Sequence, residues 1–224
     1  FIDNSSNNFA LTVSGTPSVQ RFSPFNPTSA YSTSVIGGSM YIATSGYLTS
    51  SSTASVGSSD NFTVEGWVYL TKATDNTLIA VTANDLGLIV GASGSNLYSY
   101  DGTWRSWGTA VPLNRWTYLT IMRSGGTAYV WKDGIYLTSF AFTAGWNWNG
   151  SGRSSFSLLG NGDGADRGNG YWSNWRFSNT ARYNTSGSNI TVPTTPLTSD
   201  VNTSFLLNMT NGAIYDSSMM NDLE

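Results

Sequence analysis

Strict alternation of apolar and polar side chains is the feature that most constrains the fold of this chain. In the stretch NFTVEGWVYL (61–70), every second residue is apolar or glycine: Phe62, Val64, Gly66, Val68 and Leu70. Because successive side chains of a strand point to opposite faces, we predict one face in the core and a second with Glu65 between Trp67 and Tyr69. A carboxylate between amphipathic rings is typical of a sugar-binding sheet face. The alternative is a strand covered on both sides, with Trp67 buried.

The same alternation, or a short apolar run between turn residues, recurs along the whole chain. It predicts strands at 8–13, within 34–49, and at 77–83, 87–91, 96–100, 115–123, 127–131, 135–142, 155–160, 171–178, 203–209 and 213–215. No window of helical length has a 3.6-residue period. The sequence therefore predicts an all-β protein, an antiparallel two-sheet sandwich of the jelly-roll type. Its predicted core contains Phe62, Val64, Val68, Leu119, Ile121 and Val130.

The composition sets limits on domain count and function. The 224 residues fit a single sandwich domain, residues 1–224. Only 10% of residues are charged, the net charge is −3 and no basic cluster occurs, which argues against nucleic-acid binding. The absence of cysteine and histidine excludes disulfides, thiolate zinc sites and Cys nucleophiles. The sequence contains no apolar run of about 18 residues, the length that would predict a membrane-spanning helix.

Tryptophans beside polar residues are the candidate ligand contacts. Trp104 and Trp107 flank Arg105 in a predicted loop, and Trp146 and Trp148 flank Asn147 in a second one. Sugar rings stack on such rings, while Asn and Arg hydrogen-bond to hydroxyl groups. The alternative is that these rings cap the open ends of the sandwich. Glu65, Trp67 and Trp131 on the outer face of the predicted sheet are further candidate ligand contacts. The alternative for Glu65 is an ion pair with Arg123.

Several motifs in order carry a family resemblance. The segments FTVEGWVYL, RWTYLTIMR, YVWKDGIYL, SLLGNG and GYWSNWRFSNTARY resemble, in that order, the laminin-G-like jelly roll of the concanavalin A-like lectin/glucanase superfamily. The pattern includes a Gly-aromatic-x-x-x-x-Arg strand, and together these motifs span most of the chain. The resemblance implies a concanavalin A-like sandwich and leaves the ligand open, since one fold hosts many functions. The closing segment SDVNTSFLLNMTNGAIYDSS further resembles repeats in virion and tail-fibre proteins of phages.

Catalysis is disfavoured by the residues present. Glucanases of this superfamily carry three acids as Glu-x-Asp-x-Glu on one strand, but positions 63, 67 and 69 beside Glu65 are Thr, Trp and Tyr. Glu224 is the only other glutamate, and retaining glycosidases need two carboxyl groups about 5 Å apart. A glycoside hydrolase is therefore the least favoured function, although an aspartate pair from distant strands stays open.

The loop NGDGADRGN (161–169) is the main candidate cation site. Asn161, Asp163 and Asp166 could supply the oxygen ligands that calcium needs, although the spacing is not that of an EF-hand. Laminin-G-like domains often bind calcium at a loop rim, so the resemblance implies calcium as the one candidate cofactor. Asp3 with Asn8 is a second, weaker candidate.

The two ends of the chain share a short pattern. Asp3-Asn4-Ser5-Ser6 resembles Asp216-Ser217-Ser218, which suggests one unit of a tandem array, and the start at Phe1 suggests a fragment or processed piece.

Together, these features of the sequence predict a non-catalytic recognition module that binds cell-surface glycans in an adhesin or phage fibre. Its expected location is extracellular or on a virion surface, with identical domains or subunits as neighbours. The alternative is a structural spacer or virion decoration domain without a ligand.

Overall fold

The computed structural model describes residues 1–20, 22–25, 38–42, 47–50, 60–73, 76–80, 87–92, 94–143, 156–158 and 169–209. These residues form fifteen strands and no helix, which confirms the all-β prediction. The strands are β1 (Leu11–Ser14), β2 (Ser18–Gln20), β3 (Ser39–Ile42), β4 (Tyr47–Ser50), β5 (Phe62–Leu70), β6 (Asn76–Ala80), β7 (Gly87–Ala92), β8 (Asn96–Tyr100), β9 (Trp104–Ala110), β10 (Trp116–Ser124), β11 (Thr127–Lys132), β12 (Ile135–Ala141), β13 (Phe156–Leu158), β14 (Gly170–Ser178) and β15 (Thr203–Leu207).

The strands form two antiparallel sheets that pack face to face as a jelly-roll sandwich. One sheet has seven strands in the order β1-β4-β13-β6-β7-β8-β9, and the other has β12-β11-β10-β5-β14-β3-β2. An eighth strand of the second sheet, β15, pairs with β14. Strands β3 and β15 share one edge of β14, because β3 pairs with residues 170–172 and β15 with residues 175–178.

The core lies between the sheets and contains every predicted core residue. Phe62, Val64, Val68, Leu119, Ile121 and Val130 are each at most 1% exposed. The register explains their common side, because Ile121 lies directly opposite Val64 and Val130 opposite Ile121. Directly opposed residues of an antiparallel pair point to the same face. The alternation on β5, β10 and β11 therefore identified the buried face correctly.

A β-bulge in β14 sets the positions of two large side chains. Ser173 lies opposite Trp67 and Arg176 opposite Glu65, so that two residues of β14 oppose Gly66 alone. The first of the two, Asn174, has a φ of 53°. A bulge of this kind re-aims the side chains that follow it. Arg176 consequently lies on the outer face beside Glu65.

The second bulged residue, Trp175, explains the glycine in β5. The Trp175 ring lies against Gly66, where a β-carbon would come within 2.3 Å of the ring. Real β-carbons essentially never approach another heavy atom that closely. Gly66 is therefore required by packing, since only a residue without a side chain leaves room for the indole.

Residues 179–200 contain no strand and pack on the outer face of the eight-stranded sheet; we call them the covering segment. Its backbone bonds directly to side chains of that face. Trp131 Nε1 donates to the Ser188 carbonyl (2.9 Å), and the Leu197 amide donates to Asn174 Oδ1 (3.0 Å). These bonds satisfy polar groups that would otherwise be buried without partners.

Candidate functional site

An exposed tryptophan supported by two tyrosines lies on the outer face of the seven-stranded sheet. Trp104 is 56% exposed and lies directly opposite Tyr100. Its ring centroid is 4.8 Å from that of Tyr100 and 5.8 Å from that of Tyr98, the latter at an interplanar angle of 83°. Both tyrosines are half-buried. We call these three residues the Trp104 platform.

The alternation of β8 explains why the platform faces outward. Leu97 and Ser99 are fully buried, so Tyr98 and Tyr100 point to the opposite side, away from the core. Ser106, which is exposed and lies opposite Tyr98, adds a hydroxyl group beside the rings. The tyrosines were not among the sequence candidates. Their equal parity in the predicted strand 96–100 was the signal that could have identified them.

Trp107 is buried and does not belong to this surface. The residues from Trp104 onward form strand β9, where the sequence predicted a loop. Positions three apart on a strand point to opposite faces, so Trp107 enters the core and is only 2% exposed. Its Nε1 donates to Ser99 Oγ (3.0 Å), which donates to the Leu88 carbonyl (2.6 Å). The prediction that Trp107 contacts a ligand is therefore wrong for this structure.

Arg105 is not brought together with Trp104. It lies opposite Ser99, which is a buried position, and therefore on the other side of β9. Its Nε reaches Asp101 Oδ1 at 3.4 Å in the β8–β9 turn. The same carboxylate oxygen accepts a hydrogen bond from the Thr103 amide (3.2 Å). Arg105 thus braces the turn before β9, on the side of the strand away from the Trp104 ring, and its contact with a ligand stays a prediction.

Glu65 lies at the centre of a buried hydrogen-bond network. Its Oε1 accepts hydrogen bonds from Arg176 Nε (2.9 Å) and Nη2 (2.6 Å). Its Oε2 accepts hydrogen bonds from the hydroxyl groups of Tyr118 (2.7 Å) and Tyr183. The Glu65 side chain is 0% exposed. Because all its contacts are internal, the prediction that Glu65 contacts a ligand is corrected.

The partner of Glu65 also differs from the one predicted. Arg123 was the predicted alternative partner, but it is buried on the inner side of β10, where its Nε donates to the Asp60 carbonyl (2.8 Å). Arg176 takes the role because of the bulge in β14. The Gly-aromatic-x-x-x-x-Arg motif contains Arg176 and was the sequence signal for it.

The two phenols of this network are held in the protonated state. Burial raises the pKa of Tyr118 well above its usual value, and the Glu65 carboxylate raises it further. The pKa of Tyr183 is raised by the same two causes, burial first. Each phenol therefore remains a hydrogen-bond donor to Glu65.

The predicted outer-face tryptophans are largely covered. Trp131 is 0% exposed beneath the covering segment, which corrects its prediction as a ligand contact. Trp67 is half-buried between the rings of Phe25 (centroids 6.1 Å apart) and Tyr118 (5.1 Å). The alternative interpretation, a strand covered on both sides, therefore describes the middle of β5.

The remaining candidates lie outside the described residues. These are Trp146, Asn147 and Trp148 for the ligand, and Asn161, Asp163 and Asp166 for calcium, and they stay predictions. Within the described ranges, no group of three or more Asp or Glu residues could hold a metal ion.

Asp3, the weaker cation candidate, is fully used as a hydrogen-bond acceptor. It is 2% exposed, and its two oxygens accept bonds from the amides of Ser5, Phe9 and Leu206 and from Ser5 Oγ, each at 2.9 Å. The Leu206 bond ties the N-terminal segment to β15. Asp3 therefore joins the two ends of the described fold, and its oxygens are not available to an ion in this arrangement.

Residues 43–209 match a laminin G family profile that is described as the concanavalin A-like lectin/glucanases superfamily. The chain belongs to this superfamily. The match includes β5, β10 and β14, which hold the Glu65 network, as well as the Trp104 platform. No curated protein sequence is significantly similar to the chain.

Solved structures with a similar fold include a domain of an arabinanase and the binding domains of two toxins. Domain 4 of AbnA, a GH43 extracellular arabinanase from Geobacillus stearothermophilus solved in complex with arabinotriose, is 15% identical, with a TM-score of 0.51. The alignment covers 75% of this chain and 84% of that domain. The binding domain of Paraclostridial Mosquitocidal Protein 1 is 13% identical, with a TM-score of 0.55, over 82% of this chain and 49% of that one.

A third similar structure is the binding domain of botulinum neurotoxin serotype D. It is 11% identical, with a TM-score of 0.50, over 80% of this chain and 47% of that one. The chain thus spans about half the length of the two toxin domains. At these identities the similarity shows the fold. Among the described residues, no helix is long and apolar enough to cross a membrane.

Proposed function

We propose that this domain is a non-catalytic recognition module that binds glycans through the Trp104 platform. The observation that carries the proposal is the 56% exposure of Trp104 on a strand whose neighbouring ring, Trp107, is buried. Large aromatic rings at a protein surface commonly serve recognition, because they offer much apolar area with few rotatable bonds. Here two tyrosines hold the exposed ring from one side.

The chemistry of the platform suits a sugar. The apolar C–H face of a pyranose or furanose packs on an indole, and the phenol groups of Tyr98 and Tyr100 with Ser106 Oγ provide hydrogen-bonding groups at its edge. Because the rings are already packed against each other, binding costs little ordering of side chains. A single stacking contact contributes only about 0.5–1.5 kcal/mol, so strong attachment would need several sites or copies.

The first probe follows from the arabinotriose complex of the similar arabinanase domain. Arabinotriose and a panel of immobilised neutral and sialylated glycans would be tested for binding to the isolated domain. Trp104→Ala should weaken binding by roughly threefold to tenfold, the equivalent of one stacking contact.

Ile135→Ala is the matched control for this experiment. Ile135 is 55% exposed and lies on β12 of the other sheet, so its loss removes a similar exposed apolar group elsewhere. Both variants should keep the wild-type circular dichroism spectrum. If folded Trp104→Ala binds every glycan as well as the control does, the platform is not the site; if the wild type binds none of the glycans, the spacer function gains support.

The non-catalytic part of the proposal rests on the buried state of Glu65. The domain should release no reducing sugar from arabinan or β-glucan. Hydrolysis that disappears in Glu65→Gln while the variant stays folded would show that Glu65 becomes accessible and catalytic.

We also propose the setting and the cation. The module would act outside cells, in an adhesin or a phage fibre beside identical domains or subunits, where weak glycan contacts gain avidity. Calcium would bind Asn161, Asp163 and Asp166. In that case calcium raises the melting temperature of the wild type but not of the Asp163→Asn/Asp166→Asn variant. An equal calcium-dependent increase in both proteins would place the ion elsewhere.

A further inference from the structure

A continuous row of aromatic residues crosses four neighbouring strands on the outer face of the eight-stranded sheet. Tyr41 of β3 lies directly opposite Tyr171 of β14, Tyr171 opposite Tyr69 of β5, and Tyr69 opposite Trp116 of β10. The successive ring centroids are 4.8, 5.8 and 5.6 Å apart. With neighbouring strands about 4.8 Å apart, the row is roughly 14 Å long. We call these four residues the aromatic row.

A fifth ring packs on the middle of the row. Phe22, just after β2, has its centroid 4.9 Å from Tyr69, 4.9 Å from Tyr171 and 5.2 Å from Trp116. Phe22 is 42% exposed, and all four members of the row are half-buried. The cluster is therefore not sealed like the core but presents aromatic surface to solvent.

The row also carries unpaired polar groups. The hydroxyl groups of Tyr41, Tyr69 and Tyr171 have no hydrogen-bond partner in the described part of the chain, and Trp116 Nε1 is buried there without one. Burial raises the pKa of Tyr171, and the neighbouring phenols of Tyr41 and Tyr69 raise it further. A buried N–H group such as that of Trp116 is normally paired, and the phenol groups of the half-buried tyrosines can both donate and accept, so the row is suited to a ligand that brings hydroxyl groups of its own.

None of the five rings of this cluster is charged, which restricts the class of ligand. A phosphate or carboxylate ligand would require a cation in the contact surface, and a basic peptide an acid. Aromatic faces combined with convergent phenol groups are suited to a neutral oligosaccharide, which has apolar C–H faces and hydroxyl edges.

We propose that the aromatic row, with Phe22, is a second glycan-binding site that takes neutral oligosaccharides. The inference rests on the proposed function of the domain and extends it. The Trp104 platform lies on the outer face of the other sheet, and the outer faces of a two-sheet sandwich point in opposite directions. One domain would then hold two glycan chains on opposite sides and cross-link them.

The test uses tryptophan indole N–H resonances as separate reporters of the two sites. Trp104 and Trp116 belong to different sites, and their signals are assigned with Trp104→Ala and Trp116→Phe. The ¹⁵N-labelled domain would be titrated with arabinotriose, cellotriose, mannotriose and galactotriose. At least one of these sugars should shift both signals in the wild type.

Two variants change the row without opening the core. Phe22→Ser removes the exposed ring, and Tyr171→Phe keeps the ring but removes the central hydroxyl group. Each should weaken the binding reported by Trp116 at least about threefold and leave the Trp104 titration unchanged. Val13→Ser is the control, because Val13 is 47% exposed on β1 of the other sheet.

The outcomes separate this inference from the proposed function. If a sugar shifts only Trp104 and no row variant affects its binding, the second site does not exist and the proposed function stands. If a sugar shifts only Trp116 and the row variants weaken it, the row is a site and the Trp104 platform is not. If no sugar shifts either signal at about 20 mM or below, on the order of the weakest useful affinity, the second site is refuted, and the wider panel of neutral and sialylated glycans decides the proposed function separately.

Discussion

Replacing Arg176 by methionine tests whether the buried Glu65 network stabilises the fold. Methionine keeps most of the length and apolar contact of the side chain but removes its charge and its donors. Glu65 Oε1 would lose the bonds from Nε (2.9 Å) and Nη2 (2.6 Å), while Tyr118 and Tyr183 would still donate to Oε2. The substitution therefore leaves one carboxylate oxygen buried without a partner.

The expected cost follows from the burial of both groups. Glu65 is 0% exposed, and the Arg176 side chain is 13% exposed. Removal of one partner of a buried ion pair typically costs about 3–5 kcal/mol, because the other charge is left uncompensated. The two phenols still stabilise Glu65, so we expect the lower end, about 3 kcal/mol. With a typical urea m-value of about 1–3 kcal/mol per M, the unfolding midpoint should fall by about 1 M or more.

The assay is urea unfolding at pH 7, followed by tryptophan fluorescence. Arg115→Met is the matched control: the Arg115 side chain is 62% exposed and pairs with Asp133 at the surface, so its loss should cost less than about 1 kcal/mol. In the double variant Glu65→Gln/Arg176→Met, no carboxylate remains unpaired, and the cost should be smaller than the sum of the single changes. A loss in Arg176→Met no greater than in Arg115→Met would refute the reasoning.

Three further changes test other parts of the fold. Gly66→Ala should cost about 1–3 kcal/mol, because a β-carbon would overlap the Trp175 ring; a stability within 0.5 kcal/mol of wild type would show that the ring moves aside. Asp3→Ala should cost about 1.5–3 kcal/mol, since several buried donors lose a charged acceptor, and urea unfolding at pH 7 measures it. Hydrogen bonds from Arg182 hold the pKa of Asp200 well below its usual value. The wild type should therefore be more stable than Asp200→Asn above about pH 4, and this difference in stability should shrink as the pH falls further. A difference that stays constant from pH 7 to pH 2 would contradict this assignment.

The sequence predicted the elements whose alternation is regular. Strands β5, β10 and β11 and their core-facing sides were predicted correctly, because one face of each strand packs in the core and the other does not. Strand β9 was missed, since its serine, glycine and threonine are typical of loops. The error had a consequence for the site: in a loop Trp104 and Trp107 form a pair, whereas in a strand an odd spacing places them on opposite faces.

The partner of Glu65 depends on a feature that alternation does not contain. Without the bulge at residues 174–175, Arg176 would point to the same side as Trp172, into the core. The position of Arg123 was readable in principle, because it has the parity of the buried Leu119 and Ile121. The covering segment could not be predicted, because its contacts join residues far apart in sequence and it has no periodic pattern.

Two residues of β5 that share one face differ in their exposure to solvent. Glu65 and Tyr69 are four positions apart and both point outward, yet the carboxylate is sealed and the phenol remains half-exposed. The covering segment accounts for the difference. Its Tyr183 donates to Glu65, its Ser188 carbonyl accepts from Trp131, and its Thr198 carbonyl accepts from Arg176. At the Tyr69 end, by contrast, only Phe22 packs over the sheet among the described residues.

The difference between the covered Glu65 end and the half-exposed Tyr69 end determines which side chains of this sheet face are accessible to a ligand. A charged group on an open sheet face would be solvated and could bind a sugar, but a buried one must be paired internally, as Glu65 is. Neutral rings have no such requirement and tolerate partial exposure. Among the described residues, the Glu65–Arg176 pair therefore lies under the covering segment and the aromatic row lies at the half-exposed end, so that a ligand on this face would meet rings and phenol groups instead of a carboxylate.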